Sequence, residues 1–129
     1  MRLLLDTHVF LATANLGSVT LPGPMLSLLA DDTSRLHVSV ASLWEIAIKV
    51  RTGKLQFGIK LDDLEALCAA ASATVVPITA RHALAVVAPE PHTRDPFDRL
   101  LLAQAIVEGM QLVTLDRALV GHPAAWQPV

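Results

Sequence analysis

Arg2-Leu3-Leu4-Leu5-Asp6-Thr7-His8-Val9 opens the chain, and its reading decides the fold. Arg2 to Asp6 reads as a short apolar strand, and Thr7 to Asn15 reads as a helix with Val9, Leu11 and Ala12 among its apolar positions. A strand that runs into a helix through one acidic residue repeats, with variations, along the rest of the chain. Pro22 to Leu29 is predicted as a helix and Leu36 to Ser39 as a strand. In the next helix Leu43, Ile46, Ala47 and Val50 recur at i, i+3, i+4 and i+7. Trp44 and Ile48 add an adjacent apolar row, leaving Glu45 and Lys49 on a narrow polar stripe. This helix is expected to pack on two sides and to end at Gly53. Leu61 to Ser72 is an Ala-rich helix, and Thr74 to Ile78 a strand whose Pro77 suits an edge or a strand end. Thr79 opens a helix to Ala88, which Pro89 and Pro91 stop. Phe97 to Gly109 is apolar on nearly every face apart from Asp98, Arg99, Gln104 and Glu108, and is expected to be central. Leu112 to Leu115 makes a further strand, Asp116 to Val120 a helical turn, and Trp126 with Val129 a short last strand. Strands alternating with helices imply a parallel sheet in a layered α/β domain.

With 129 residues and 13.8 kDa, the chain fits one domain, and 53% hydrophobic residues supply ample core for it. No apolar run approaches the roughly 18 residues of a membrane helix, and neither a signal peptide nor a membrane association is expected. The single Cys68 makes neither an intrachain disulfide nor a Cys-rich metal site, which points to a cytoplasmic location. Ten Lys and Arg against twelve Asp and Glu give a net charge of −2, so any nucleic-acid contact has to be local. A mean hydropathy of +0.50 with 17% charged residues leaves apolar surface to be covered, by a protein partner or by self-association.

Four acids, Asp6, Glu45, Asp98 and Asp116, sit where an apolar run gives way to a helix start. In an α/β fold the carboxyl ends of strands and the helix N-termini after them line one crevice, so scattered acids in this context are candidates for convergence. Each also has a structural reading. Asp6 suits a cap for the helix from Thr7, Ser42 to Glu45 has capping-box spacing, and Glu45 stands four residues before Lys49. Asp95 is placed as an N-cap with Pro96 at the first helical position, Asp98 then lies in the first turn, and Asp116 suits a cap for the final turn. Taken together, acids embedded in such apolar context need partners. Two carboxylates about 6 Å apart repel by roughly 3 kcal/mol at an effective dielectric near 20. A divalent ion with oxygen ligands answers several at once, and magnesium or manganese is the natural choice. Zinc is disfavoured because His8, His37, His82, His92 and His122 show no ligand spacing with one another or with Cys68. There is no Gly-rich phosphate loop and no Ser elbow flanked by glycines.

Leu3 to His8, Ser39 to Lys49, His92 to Ala105 and Leu112 to Asp116, in this order and spacing, resemble the PIN-domain toxins of the VapC type over nearly the whole chain. The resemblance implies a single domain spanning residues 1–129, with a three-layer α/β/α fold and a central, mostly parallel sheet of four to five short strands. It implies a Mg²⁺-dependent endoribonuclease (Mn²⁺ a possible substitute) acting as the toxin of a type II toxin–antitoxin module, with RNA as substrate, a cognate antitoxin protein as partner, and a homodimer. Asp6, Glu45 and Asp98 match the three metal-binding acids and Asp116 a more variable fourth. Thr7 and Thr114 match hydroxyls beside the acids, with Asp95 kept as the N-cap and Arg99 beside Asp98 as a supporting cation. Lys49, Arg51, Lys54, Arg94 and Arg99 are candidate phosphate contacts. The Thr79 to Ala88 and Leu61 to Ser72 helices are the candidate dimer faces. A catalytically silent PIN-like module for binding or dimerisation is the alternative.

Overall fold

The computed structural model describes residues 1–17, 19–55, 58 and 60–128. Three consecutive leucines without polar alternation suit a strand covered on both faces. Leu3, Leu4 and Leu5 are fully buried in β1 (Arg2–Leu5), which lies inside a four-stranded sheet. Its neighbours are β2 (Arg35–Ser39) and β4 (Gln111–Val113), with β3 (Ala73–Val76) beyond β2, giving the order β3-β2-β1-β4 with every pairing parallel. β3 is an edge strand that stops before Pro77, so the strand read at Thr74 to Ile78 shifts to Ala73–Val76 and the proline falls just past its end.

Alternation along β1 divides the core. Leu3 and Leu5 face α1 (Thr7–Thr13), α2 (Gly23–Ala30), α3 (Val40–Arg51) and α4 (Leu64–Ala70), through Val9, Phe10, Met25, Ile46, Leu64 and Cys68. Leu4 and Leu112 face the other way, onto Leu101, Leu102 and Ala105 of α6 (Pro96–Glu108). The result is the expected α/β/α sandwich, all-parallel, with four strands and helices on both sides. The last strand read at Trp126 and Val129 reduces to a bridge between Leu112 and Ala125, and Val129 lies outside the described residues.

Several element limits shift for identifiable reasons. Ser39 still pairs with Val76 in the sheet and its hydroxyl accepts from the Ala41 amide at 2.9 Å, so α3 begins directly after β2. Ser42 and Glu45 are thereby inside the helix, which replaces the capping box read there. The Trp44 and Ile48 row is 59% and 38% exposed, so this second row is less covered than expected, although Trp44 touches Phe97 of the later helix α6. The Leu61 to Ser72 segment divides into a 3₁₀ turn, Leu61–Asp63, followed by α4. The helix opened by Thr79 is only α5 (Ala80–Leu84), because the chain turns extended at Ala85 and carries Val87 into the core. Within α5 the buried His82 accepts from the Thr79 amide through Nδ1 and reaches Glu108 through Nε2 at 2.9 Å, which ties α5 to the end of α6.

Gly109 closes α6 in the left-handed region at φ 67°, and the Met110 amide donates back to Ala105 at 2.9 Å. A Cβ at Gly109 meets nothing within 4 Å, so an alanine there carries only a conformational cost. Gly109→Ala is expected to lower unfolding free energy by about 1–2 kcal/mol in urea titrations without changing the far-UV circular dichroism.

Candidate active site

The strand order reverses at β1: the chain proceeds outward through β2 and β3, then returns to lay β4 on the opposite side. The carboxyl ends of β1 and β4 therefore form a topological switch point, the usual crevice of an open parallel sheet. Asp6 follows β1 and Thr114 follows β4. The Asp6 amide extends the ladder by donating to the Val113 carbonyl at 3.0 Å, and this brings Asp6 beside Thr114. Both Asp6 oxygens are engaged: Oδ1 accepts from the Val9 amide at 2.9 Å, capping α1, and Oδ2 accepts from the Thr114 hydroxyl. Thr114 Oγ1 in turn accepts from the Asp116 amide at 3.0 Å, while Asp116 Oδ1 accepts from the Ala118 amide at 2.8 Å.

Glu45 reaches the same end of the sheet from α3. Its Oε1 accepts from the Thr7 hydroxyl, and Oε2 lies 3.2 Å from Lys49. The Ser42 and Thr7 hydroxyls are 3.0 Å apart. With one proton each, Thr7 gives its own to the carboxylate and receives that of Ser42. Asp98 stands in the first turn of α6, whose start is set by Asp95 accepting from the Phe97 amide at 2.9 Å with Pro96 at the first helical position. Thr93 accepts from the Asp95 amide at 3.1 Å and donates to Asp98 Oδ2 at 3.2 Å.

Electrostatics couple these acids. Asp98 is pushed up to about 6, first by desolvation and then by the charges of Asp95, Asp116 and Glu45, against the lowering effect of Thr93. Asp6 is also raised: burial dominates and Asp116 adds to it, while the Thr114 and Val9 hydrogen bonds and His8 oppose it. Asp116 acts on both. Asp98 thus feels Asp116 and Glu45, and Asp6 feels Asp116. A ready-made cage is not formed: among the described residues no three His, Cys, Asp or Glu side chains are grouped closely enough to hold one ion. Glu45 is drawn to Lys49 and Asp98 to Thr93. Arg99, read as a supporting cation for these acids, pairs instead with Glu90 away from them.

A family model described as PIN domain matches residues 3–122. The chain belongs to the PIN domain family. PIN domains are in general nucleases that use divalent metal ions, and the four-stranded parallel sheet is that of a PIN-like α/β fold. No curated protein matches the chain. In this PIN domain the residues that sequence reasoning missed are Ser42, hidden in an apparent capping box, and Thr93, whose only local signal is its position two residues before Asp95. The pairing of Trp44 with Phe97, rings 5.4 Å apart, had no signal in either segment.

Asp98 ionises near pH 6 in the fold and near 3.8 when unperturbed, so between these values the folded protein keeps a proton that the unfolded chain has lost. Stability from this group is present at low pH and is lost as pH rises through about 6; partial exposure screens its size. Asp98→Asn, which cannot ionise, is expected to melt progressively higher than the parent as pH is raised from 4 to 7 in chelator. Parallel melting curves that keep a constant separation would contradict the coupling.

Proposed function

We infer that this PIN domain is a Mg²⁺-dependent endoribonuclease, with Mn²⁺ as a possible substitute, and the toxin of a type II toxin–antitoxin module in the cytoplasm. The observation that carries the reading is the raised carboxyl of Asp98 among Asp95, Asp116 and Glu45 at the switch point. Oxygen-only donors, among them a carboxyl whose ionised form is disfavoured by burial and by neighbouring acids, suit a hard divalent cation. Asp6, Glu45 and Asp98 would hold the ion, with Asp116 as a fourth donor. When bound, it supplies charge stabilisation at the phosphoryl oxygens and lowers the pKa of coordinated water. The protein supplies the rest. Val9 and Thr114 fix the Asp6 carboxylate, Thr7 orients Glu45, and Thr93 orients Asp98. Lys49 offsets the charge of Glu45. The exposed Arg51, Lys54 and Arg94 are suited to phosphates that flank the cut. RNA as the substrate and the toxin role rest on the resemblance of the four sequence blocks.

A cognate antitoxin is proposed to cover apolar surface while placing a cation against the acids, since a guanidinium satisfies several carboxylates through its forked donors. Self-association is proposed through the end of α5, where Leu84 and Val86 are 83% and 81% exposed. Two observations favour a silent binding module: Glu45 is already paired with Lys49, and among the described residues no three-ligand cage stands ready. Metal titration and cleavage assays separate the two readings.

In the nuclease reading, Asp98→Asn lowers Mg²⁺-dependent cleavage of a structured RNA by two orders of magnitude or more, and calorimetry shows weakened Mn²⁺ binding. Near-normal cleavage would return Asp98 to a helix-start role. For self-association, light scattering at micromolar concentration is expected to give a dimer for the parent and a monomer for Leu84→Lys; a monomeric parent would exclude this interface.

A further inference from the structure

Trp44 is 59% exposed, although it belongs to an apolar row of α3 whose periodicity predicts burial. Its indole packs against Phe97 of α6, with ring centroids 5.4 Å apart and planes inclined by 59°. This tilted geometry is a favoured aromatic contact and restrains the indole while leaving much of its surface in solvent. Position adds a second observation. Trp44 immediately precedes Glu45 and Phe97 immediately precedes Asp98, so the aromatic pair spans the two helices that deliver these acids. The exposed Arg51 lies seven residues further along the same face of α3, while Lys49 is taken up by Glu45. A flat apolar surface with a cation on the same face suits a base and its phosphate, because every unpaired base has a stacking face and every linkage a negative charge. An apolar peptide would gain nothing from the cation.

We propose that Trp44, buttressed by Phe97, is the stacking platform for an unpaired base next to the scissile linkage. This rests on the nuclease reading and deepens it. In a duplex both faces of each base are already stacked, whereas a loop nucleotide presents a free face. Trp44 is accordingly a binding and specificity-determining residue, and the carboxylates carry the chemistry.

The protein has two tryptophans, so Trp126→Phe leaves Trp44 as the single indole reporter. In chelator, a short single-stranded RNA of mixed sequence should quench that fluorescence saturably, and the same strand annealed to its complement should not. In steady-state cleavage of a looped RNA with Mg²⁺, Trp44→Ala should raise KM roughly ten- to a hundredfold with kcat little changed, and Trp44→Phe should recover most of the loss. A purely structural Trp44 would instead lower melting temperature and kcat together. Equal quenching by duplex, or a folded Trp44→Ala with unchanged KM, overturns the platform and leaves the exposed indole to a protein partner. If the parent protein neither binds nor cuts any RNA, the nuclease reading itself fails; that outcome is distinct from a parent that cuts RNA and a Trp44→Ala variant that cuts it equally well.

Discussion

The hydrogen bond from Thr114 to Asp6 joins residues 108 positions apart and sits at 3% and 6% exposure, and the rest of the site depends on it. A carboxylate this buried is costly unless its oxygens are satisfied. The fold satisfies them from two directions, a helix amide on one oxygen and a neighbouring strand's hydroxyl on the other. Only a strand order that returns β4 to the side of β1 makes the second partner available. Topology and charge are therefore one problem here: the sheet has to reverse at β1 for its first acid to be tolerable.

The other acids are held by the same economy of parts. Asp95 sets the start of α6, and that start presents Asp98. Thr93 serves Asp95 through its oxygen and Asp98 through its proton. Helix-start chemistry and acid placement are not rival explanations of these residues, since the cap is the device that aims the neighbouring carboxylate. What the caps do not remove is the cost of charge there: burial first and neighbouring acids second raise Asp98, and Asp116 adds to the burial that raises Asp6. Strain of this kind is tolerated where a ligand is meant to relieve it.

Much of this was legible in the residues. Unbroken leucines announced a short apolar strand, Asp95-Pro96 announced a helix start, and Pro77 announced an edge or a strand end. The Ser42 to Glu45 spacing suggested a helix start there, whereas α3 begins at Val40 behind a Ser39 cap. The ladder decided it by holding Ser39 extended opposite Val76. Periodicity found the Trp44 row but carries no information about what covers it, so exposure had to come from the packing of α3 against α6. The length of α5 was likewise set from a distance, by the burial of Val87 beyond its end. The hydroxyl partners of the acids join segments far apart in the chain, and hydrogen bonds at that separation leave no local pattern.

The bridge at Ala125 has a consequence for how this protein meets others. In β4, Leu112 turns its backbone away from β1, and both of its polar groups are taken by the chain's own tail: its amide donates to Ala124 at 2.9 Å and its carbonyl accepts from Trp126 at 2.8 Å. A foreign strand arriving at this margin finds both polar groups of Leu112 already taken, so templated sheet growth is hindered there. The opposite margin, β3, offers four residues and then a proline. Encounters with other molecules are thereby steered from backbone ladders to side-chain surfaces, where recognition depends on residue identity and a generic extended peptide gains little.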